Sequence, residues 1–177
     1  MSRHRNEARL DTIDVQALCN LLEREELEYR RLLRLAWRQN GYLRRQDVQR
    51  LESNAEQWQK FLPLADAARI KREEFISEIA LKLGIHDERL APQFLLNFAD
   101  NNQRQALNAA VGQLVHTASD LNKQNELNRQ LADFCLELAR EEGEIFKNGV
   151  LEDPTGCYAD DAQKSTAPPG KVITRQA

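Results

Sequence analysis

The residues of this chain that could support acid–base, nucleophilic or metal chemistry stand apart in the sequence. The histidines are His4, His86 and His116, and the cysteines are Cys19, Cys135 and Cys157. Catalysis needs a nucleophile with a base in reach or a pair of acid–base groups, and metal sites need ligands at fixed spacing. No HExxH motif, CxxC pair or glycine-rich phosphate loop is present. The sequence therefore predicts a protein that is not an enzyme and that uses no metal or cofactor.

Composition and charge predict a helical protein. Of the 177 residues, 41% are hydrophobic, 30% charged and only 6% aromatic, a balance typical of helical bundles and coiled coils. The net charge of −3 gives no global attraction to nucleic acid or to an anionic membrane. Neither a membrane-spanning stretch nor a signal peptide is evident, and widely spaced cysteines suit a reducing compartment. We expect a cytoplasmic protein that neither binds nucleic acid nor inserts into a membrane.

Amphipathic periodicity predicts long helices along most of the chain. Asp11 is a candidate N-cap for a first helix over about 12–40. Whether Asn40-Gly41 breaks this helix is left open. A second helix begins near Asp47, and Pro63 is expected to kink or briefly break it. Gly84 has the character of a C-cap, a short helix follows Pro92, and a long helix covers 102–147.

The predicted fold is all-α, with long antiparallel helices forming an extended hairpin or a three-to-four-helix bundle. Residues 1–10 are polar and basic, and a flexible N-terminus is expected there. Residues 11–150 form the predicted single helical-bundle domain. Residues 151–177 hold three of the five prolines among small and polar residues that could not pack, so a disordered tail is predicted.

The apolar stripe of the last helix changes register near its middle. It first follows Leu107, Val111, Leu114, Ala118 and Leu121, and it resumes at Leu127, Leu131, Phe134, Leu138 and Ile145. A packing partner must therefore overwind locally, or the two halves must face different neighbours. The original register continues through Asn125 and Asn128, which either fix register inside a helical seam or are exposed.

Charged residues over 23–38 interleave glutamates with arginines at helical spacing, which predicts a solvated helix face. A basic stripe for nucleic acid is set aside, because the glutamates would repel phosphate. Trp37 and Trp58 lie at helical spacing, so core packing is the prediction, with an interface anchor as the alternative.

The order of these features resembles the FlgN family of flagellar export chaperones. The resemblance covers about 14–163 and rests on the segments EREELEYRRLLRLAWRQNGYL, DVQRLESNAEQWQKF, DLNKQNELNRQLADFCLEL and PTGCYADDAQ. The third contains the pattern NxxNxxL, and the last contains a lone tyrosine, Tyr158. Family tails place a glycine after this tyrosine and another three residues later, whereas this chain has Ala159 and Ala162.

The resemblance implies a cytoplasmic, non-enzymatic chaperone for the hook-filament junction proteins. Such a chaperone binds the C-terminal segments of these proteins, prevents premature assembly and delivers them to the membrane-embedded export gate without hydrolysing nucleotide. In this family a tail tyrosine contacts the export gate protein, a role that the resemblance gives to Tyr158.

An amphipathic substrate helix needs an apolar ladder to lie against. The predicted substrate-binding residues are Asn125, Leu127, Asn128, Leu131, Phe134, Leu138, Ile145 and Phe146. As an alternative, these residues pack against the chain's own first two helices. The alternative function is a structural or regulatory coiled coil that self-associates through the long helix as a homodimer.

Overall fold

A computed structural model of the chain describes residues 9–85 and 92–151, with side chains described as far as 149. Helix α1 is Thr12–Leu43, α2 is Val48–Lys82, a 3-10 helix is Pro92–Phe98, and α3 is Asn101–Leu151. The described ranges contain no strand, so the all-α prediction is confirmed. Residues 1–8, 86–91 and 152–177, which include most of the predicted flexible N-terminus and almost all of the predicted tail, lie outside these ranges.

Capping residues set the helix ends close to the predicted positions. The Asp11 carboxylate accepts a hydrogen bond from the Ile13 N–H at 3.1 Å, and α1 continues through Asn40-Gly41 to Leu43 without a break. Gly84 adopts a left-handed φ of 73° just after α2, as expected of a C-cap. Asp100 and Gln103 form a reciprocal capping box at 2.8 and 3.0 Å, which places the start of α3 at Asn101.

Pro63 lies inside a continuous α2, so of the two predicted outcomes, a kink or a short break, the break does not occur. A proline removes the N–H that would bond to the carbonyl four residues earlier. Here both Gln59 and Pro63 are exposed, and water can therefore satisfy the Gln59 carbonyl. The cost of the missing donor is small enough for flanking packing to keep the helix continuous.

The chain divides into two compact units, Met1–Ala132 and Asp133–Ala177, with the boundary inside α3. In the first unit, contacts between α1 and α2 pair early residues of one helix with late residues of the other. Asp14 meets Lys82 at 2.8 Å, and the Leu35 carbonyl meets Asn54 at 3.2 Å. These two helices therefore run antiparallel, as predicted.

Helix α3 runs parallel to α1 within the first unit. The Gln103 amide donates to the Leu10 carbonyl at 3.3 Å, and further along the Thr117 hydroxyl donates to Glu26 at 2.7 Å. Both contacts advance along the two helices in the same direction. The result is an up-down-up arrangement of three helices, which confirms the bundle.

Two apolar clusters form the core of the first unit. The first contains Leu10, Val15, Leu18, Cys19, Leu22, Ile76, Ile79, Leu95, Ala99, Leu107, Val111 and Leu114. The second contains Leu32, Leu33, Ala36, Ala65 and Leu121, with Trp58 packed against it. Tyr29 is half-buried and touches both clusters, so it lies at the level where one ends and the other begins.

A buried polar layer separates these clusters. Glu25 is only 1% exposed, and its carboxylate accepts from the Arg72 Nε at 2.5 Å. Glu26 is also buried and accepts hydrogen bonds from Thr117 at 2.7 Å and from Arg30. Burial, followed by the negative charge of Glu25, raises the pKa of the Tyr29 phenol. Buried charges persist only when paired, so this layer dictates how α1, α2 and α3 align.

Replacing Arg72 with alanine is expected to lower the free energy of unfolding by about 3 kcal/mol, because it leaves the buried Glu25 carboxylate without its counter-charge. Urea denaturation followed by circular dichroism measures this change. Lys71→Ala, at the neighbouring exposed position, is the control and should change stability by less than about 0.5 kcal/mol. If both substitutions change the free energy of unfolding equally, the Glu25–Arg72 ion pair is not needed for stability.

Candidate protein-binding surfaces

In the first unit, α3 buries one face that keeps a single register. Its buried positions include Leu107, Leu114, Leu121 and Asn128, each seven residues after the last. Leu127, immediately before Asn128, is 55% exposed. Of the two expected solutions to the register change, the structure therefore adopts the one in which the two apolar stripes face different surroundings. The buried face continues through the asparagine and not through the leucine.

Asn128 fixes the contact between α3 and α1. Its side chain is 3% exposed, and its amide donates to the Ala36 carbonyl at 2.7 Å and to the Gln39 side chain at 3.1 Å. Its oxygen accepts from Asn40 and Gln124, both at 3.0 Å. All its hydrogen-bonding capacity is thus used, and it occupies a seam position that specifies register.

The remaining predicted binding residues of the first unit are more accessible. Asn125 and Leu131 are half-buried, and Leu127 is largely exposed. The side chain of Asn128 bonds to Ala36, Gln39, Asn40 and Gln124 and to none of these three residues. Their side chains remain at least partly available to a partner.

The second unit carries the most exposed apolar side chains among the predicted residues. Phe134 is 61% exposed, Ile145 72% and Phe146 70%, whereas Leu138 is half-buried. Phe134, Leu138 and Ile145 are separated by four and seven residues and so share one helix face. We call Phe134, Leu138, Ile145 and Phe146 the α3 ridge. Large apolar side chains grouped in this way mark surfaces that bind a protein or a membrane.

Leu136 was missed by the sequence reasoning, although it is 51% exposed in the same unit. It lies on a different face of α3 from Phe134 and therefore falls outside the apolar stripe, whose members are three or four residues apart. Its only sequence signal is an apolar residue outside the stripe.

The described part of the chain offers little for chemistry. Cys19 is buried, and burial, then the charge of Glu23, raises the pKa of its thiol. His116 is exposed beside Asp120 at 3.4 Å. Within residues 9–85 and 92–151, no group of three or more His, Cys, Asp or Glu side chains is placed to hold a metal. His4, His86, Cys157 and Tyr158 lie outside the described residues.

Two predictions about α1 need correction. Trp37 is 56% exposed and is not a core residue, because it lies one position beyond the buried Ala36. The interleaved charges do not form a uniformly solvated face either, since Glu25 and Glu26 are buried. Helical spacing alone did not distinguish the two sides of α1, because both carry charged residues.

The first unit is thus a three-helix bundle and the second presents an exposed apolar helix face, features that suit a helical protein that binds other proteins. The sequence matches the family model described as FlgN protein over residues 14–166. The chain therefore belongs to the FlgN family, which makes it a flagellar export chaperone that binds flagellar proteins. A search of curated proteins and a search of solved structures gave no match. No helix within the described ranges has an apolar stretch long enough to span a lipid bilayer.

Asn128→Ala is expected to reduce the free energy of unfolding by about 1–3 kcal/mol, because it removes a hydrogen bond to the Ala36 carbonyl and leaves the Asn40 side-chain amide without its acceptor in the seam. Asn122→Ala is the matched control, since Asn122 is exposed on the same helix. Chemical denaturation of both variants decides the question, and a loss at Asn122 as large as that at Asn128 would refute a special role for the seam.

Proposed function

We propose that this chaperone binds the C-terminal segments of hook-filament junction proteins in the cytoplasm, prevents their premature assembly and delivers them to the export gate. The observation that carries this proposal is the exposure of the α3 ridge, whose two phenylalanines and Ile145 are each more than 60% exposed. A helical segment with apolar side chains at matching spacing would cover these residues. Membership of the FlgN family supports the same assignment.

The ridge can supply the free energy that such binding needs. Burying a Phe or Ile side chain fully contributes about 1.5–3 kcal/mol. Several such side chains must also offset the cost of association and of ordering the substrate segment. Binding of moderate affinity suits a chaperone, because the substrate must be released at the next step without nucleotide chemistry.

The predicted residues of the first unit take different parts in this proposal. Leu127 and the half-buried Leu131 and Asn125 are available for contact. Asn128 already uses its side chain to hold α3 against α1, so its contribution is to position the helix. Substrate contact is therefore assigned first to the exposed apolar residues.

Phe134→Asp combined with Ile145→Asp should weaken binding to isolated C-terminal segments of junction proteins by on the order of a hundredfold, because two charged groups would have to be desolvated at the contact. Calorimetric titration measures the affinity. The matched control is Val48→Asp with Leu81→Asp, two positions on α2 that are each 64% exposed.

An unchanged affinity in the Phe134/Ile145 variant would remove the ridge from the proposal. Failure of the folded wild-type protein to bind any junction segment would remove the proposed substrate class. A stable dimer in sedimentation, unaffected by the peptides, would instead support the self-associating coiled coil. Residues 133–147 contain five acidic and two basic side chains, so two copies of this stretch would repel each other.

Tyr158 is proposed to contact the export gate protein, a role carried by family membership alone. Tyr158→Ala should leave affinity for junction segments unchanged and should weaken binding to the purified export gate protein by about tenfold. Tyr42→Ala serves as a tyrosine control in α1. If Tyr158→Ala weakens binding to the junction segments and leaves binding to the export gate protein unchanged, this assignment is contradicted.

A further inference from the structure

A second surface, on the first unit, is formed by arginines near the end of α1. Residues 30–50 contain seven arginines and a single acidic residue, Asp47, in a chain whose net charge is −3. The glutamates that precede this stretch neutralise only part of it. Glu25 is buried against Arg72, and Glu28 is paired with Arg31 at 2.8 Å. The structure therefore leaves an excess of positive charge at this end of α1.

Some of these arginines are paired and others are not. Arg30 pairs with Glu26, and Arg50 pairs with Asp47 at 3.3 Å. Arg34 and Arg38 are exposed, and neither has a carboxylate within ion-pair distance among the residues that the structure describes. They are four residues apart on one helix, so the two positive charges lie close together and repel. An external anion would relieve this repulsion.

Trp37 lies among these charges and is 56% exposed. It is adjacent to Arg38 and three residues after Arg34, so all three side chains emerge from neighbouring positions of the helix surface. Tryptophan and arginine are the residues most enriched at the energetic centres of protein interfaces. This combination fits a partner that offers carboxylates beside an apolar side chain.

A cleft of about 450 Å³ lies between α1 and α3. Its lining is mixed, since Cys19 on α1 and Ala109 on α3 are accompanied by Glu23 and Glu26. Trp37 is 18 residues after Cys19, and Leu127 is 18 residues after Ala109. Because 18 residues make about five full helical turns, each pair faces the same side. Trp37 and the exposed Leu127 therefore lie on the same sides of their helices as Cys19 and Ala109.

Direct hydrogen bonds show that the two helices are still in contact at this level. Asn128, next to Leu127, donates to the carbonyl of Ala36, next to Trp37, at 2.7 Å. The flank of α1 and α3 thus offers a tryptophan and a leucine, with arginines along the α1 edge.

We propose that this surface, which we call the arginine flank, docks an acidic amphipathic helix of a partner protein. The apolar side chains of that helix lie against Trp37 and Leu127, beyond the cleft that Glu23 and Glu26 line. Its carboxylates, one turn apart, pair with Arg34 and Arg38, whose guanidinium groups can bind them bidentately. A helix can present its carboxylates to Arg34 and Arg38 and its apolar side chains to the α3 side, whereas the continuous phosphates of RNA would also meet the exposed Glu126 there.

The arginine flank lies wholly within the first unit and carries the opposite charge to residues 133–147. The proposal therefore does not rest on the function proposed for the α3 ridge. The Phe134/Ile145 double aspartate variant should retain binding at the arginine flank, which makes failure of one proposal distinguishable from failure of the other.

The test uses the full chain and a synthetic helical peptide with leucines on one face flanked by glutamates. A matched peptide has lysine in place of each glutamate. The wild-type protein should bind the acidic peptide at least about tenfold more tightly than the basic one, with affinity falling as salt rises. Arg34→Glu with Arg38→Glu should weaken this binding by at least about tenfold. Lys60→Glu with Lys71→Glu makes the same charge change at exposed positions of α2 and should have little effect.

Equal binding of both peptides, or no loss in the Arg34/Arg38 variant, would overturn the proposal. Tighter binding to single-stranded RNA or to phosphatidylserine vesicles, lost in that same variant, would also overturn it by assigning the surface to another partner. Trp37→Ala provides a second variant with no change of charge, and it should weaken acidic-peptide binding while keeping the wild-type thermal midpoint.

Discussion

Two adjacent glutamates in the middle of α1 determine how the first unit is assembled. Glu25 is paired with Arg72 of α2, and Glu26 accepts from Thr117 of α3, so neighbouring residues on one helix each specify a different partner. A slip of either helix would strand a buried carboxylate, at a cost of several kcal/mol. The apolar clusters on both sides contribute most of the favourable burial, but they tolerate sliding better because apolar contacts are not directional. Alignment therefore depends on the polar layer.

The same burial explains why the surface charge of α1 is uneven. Because Glu25 and Glu26 are buried, the arginines that follow them have fewer carboxylates within ion-pair distance. Arg34 and Arg38 are left on the outside beside Trp37. A protein with a small net negative charge thus acquires a local positive surface without any change of composition. Charge summed along the sequence does not reveal this, because the sum counts buried and exposed groups equally.

Sequence patterns predicted most of the helices, because capping and amphipathic periodicity are local properties. Asp11 and Gly84 act within a few residues of themselves, and no tertiary contact is needed to recognise them. Whether Pro63 would break α2 could not be decided locally, because the cost of a proline depends on whether the freed carbonyl reaches water. Trp37 was misjudged because α1 has apolar residues on several faces, and the sequence alone does not show which face packs against the other helices.

The candidate sites follow the same division between local pattern and tertiary context. The change of register after Leu121 was visible in the sequence, and it left open whether the packing partner overwinds or the two stripes face different neighbours. What spacing could not decide was which stripe would be buried, since a leucine is ordinarily a better core residue than an asparagine. The structure buries Asn128 because Ala36, Gln39 and Asn40 of α1 satisfy its amide. Leu127 is then left on the exposed side, because adjacent residues of a helix point about 100° apart.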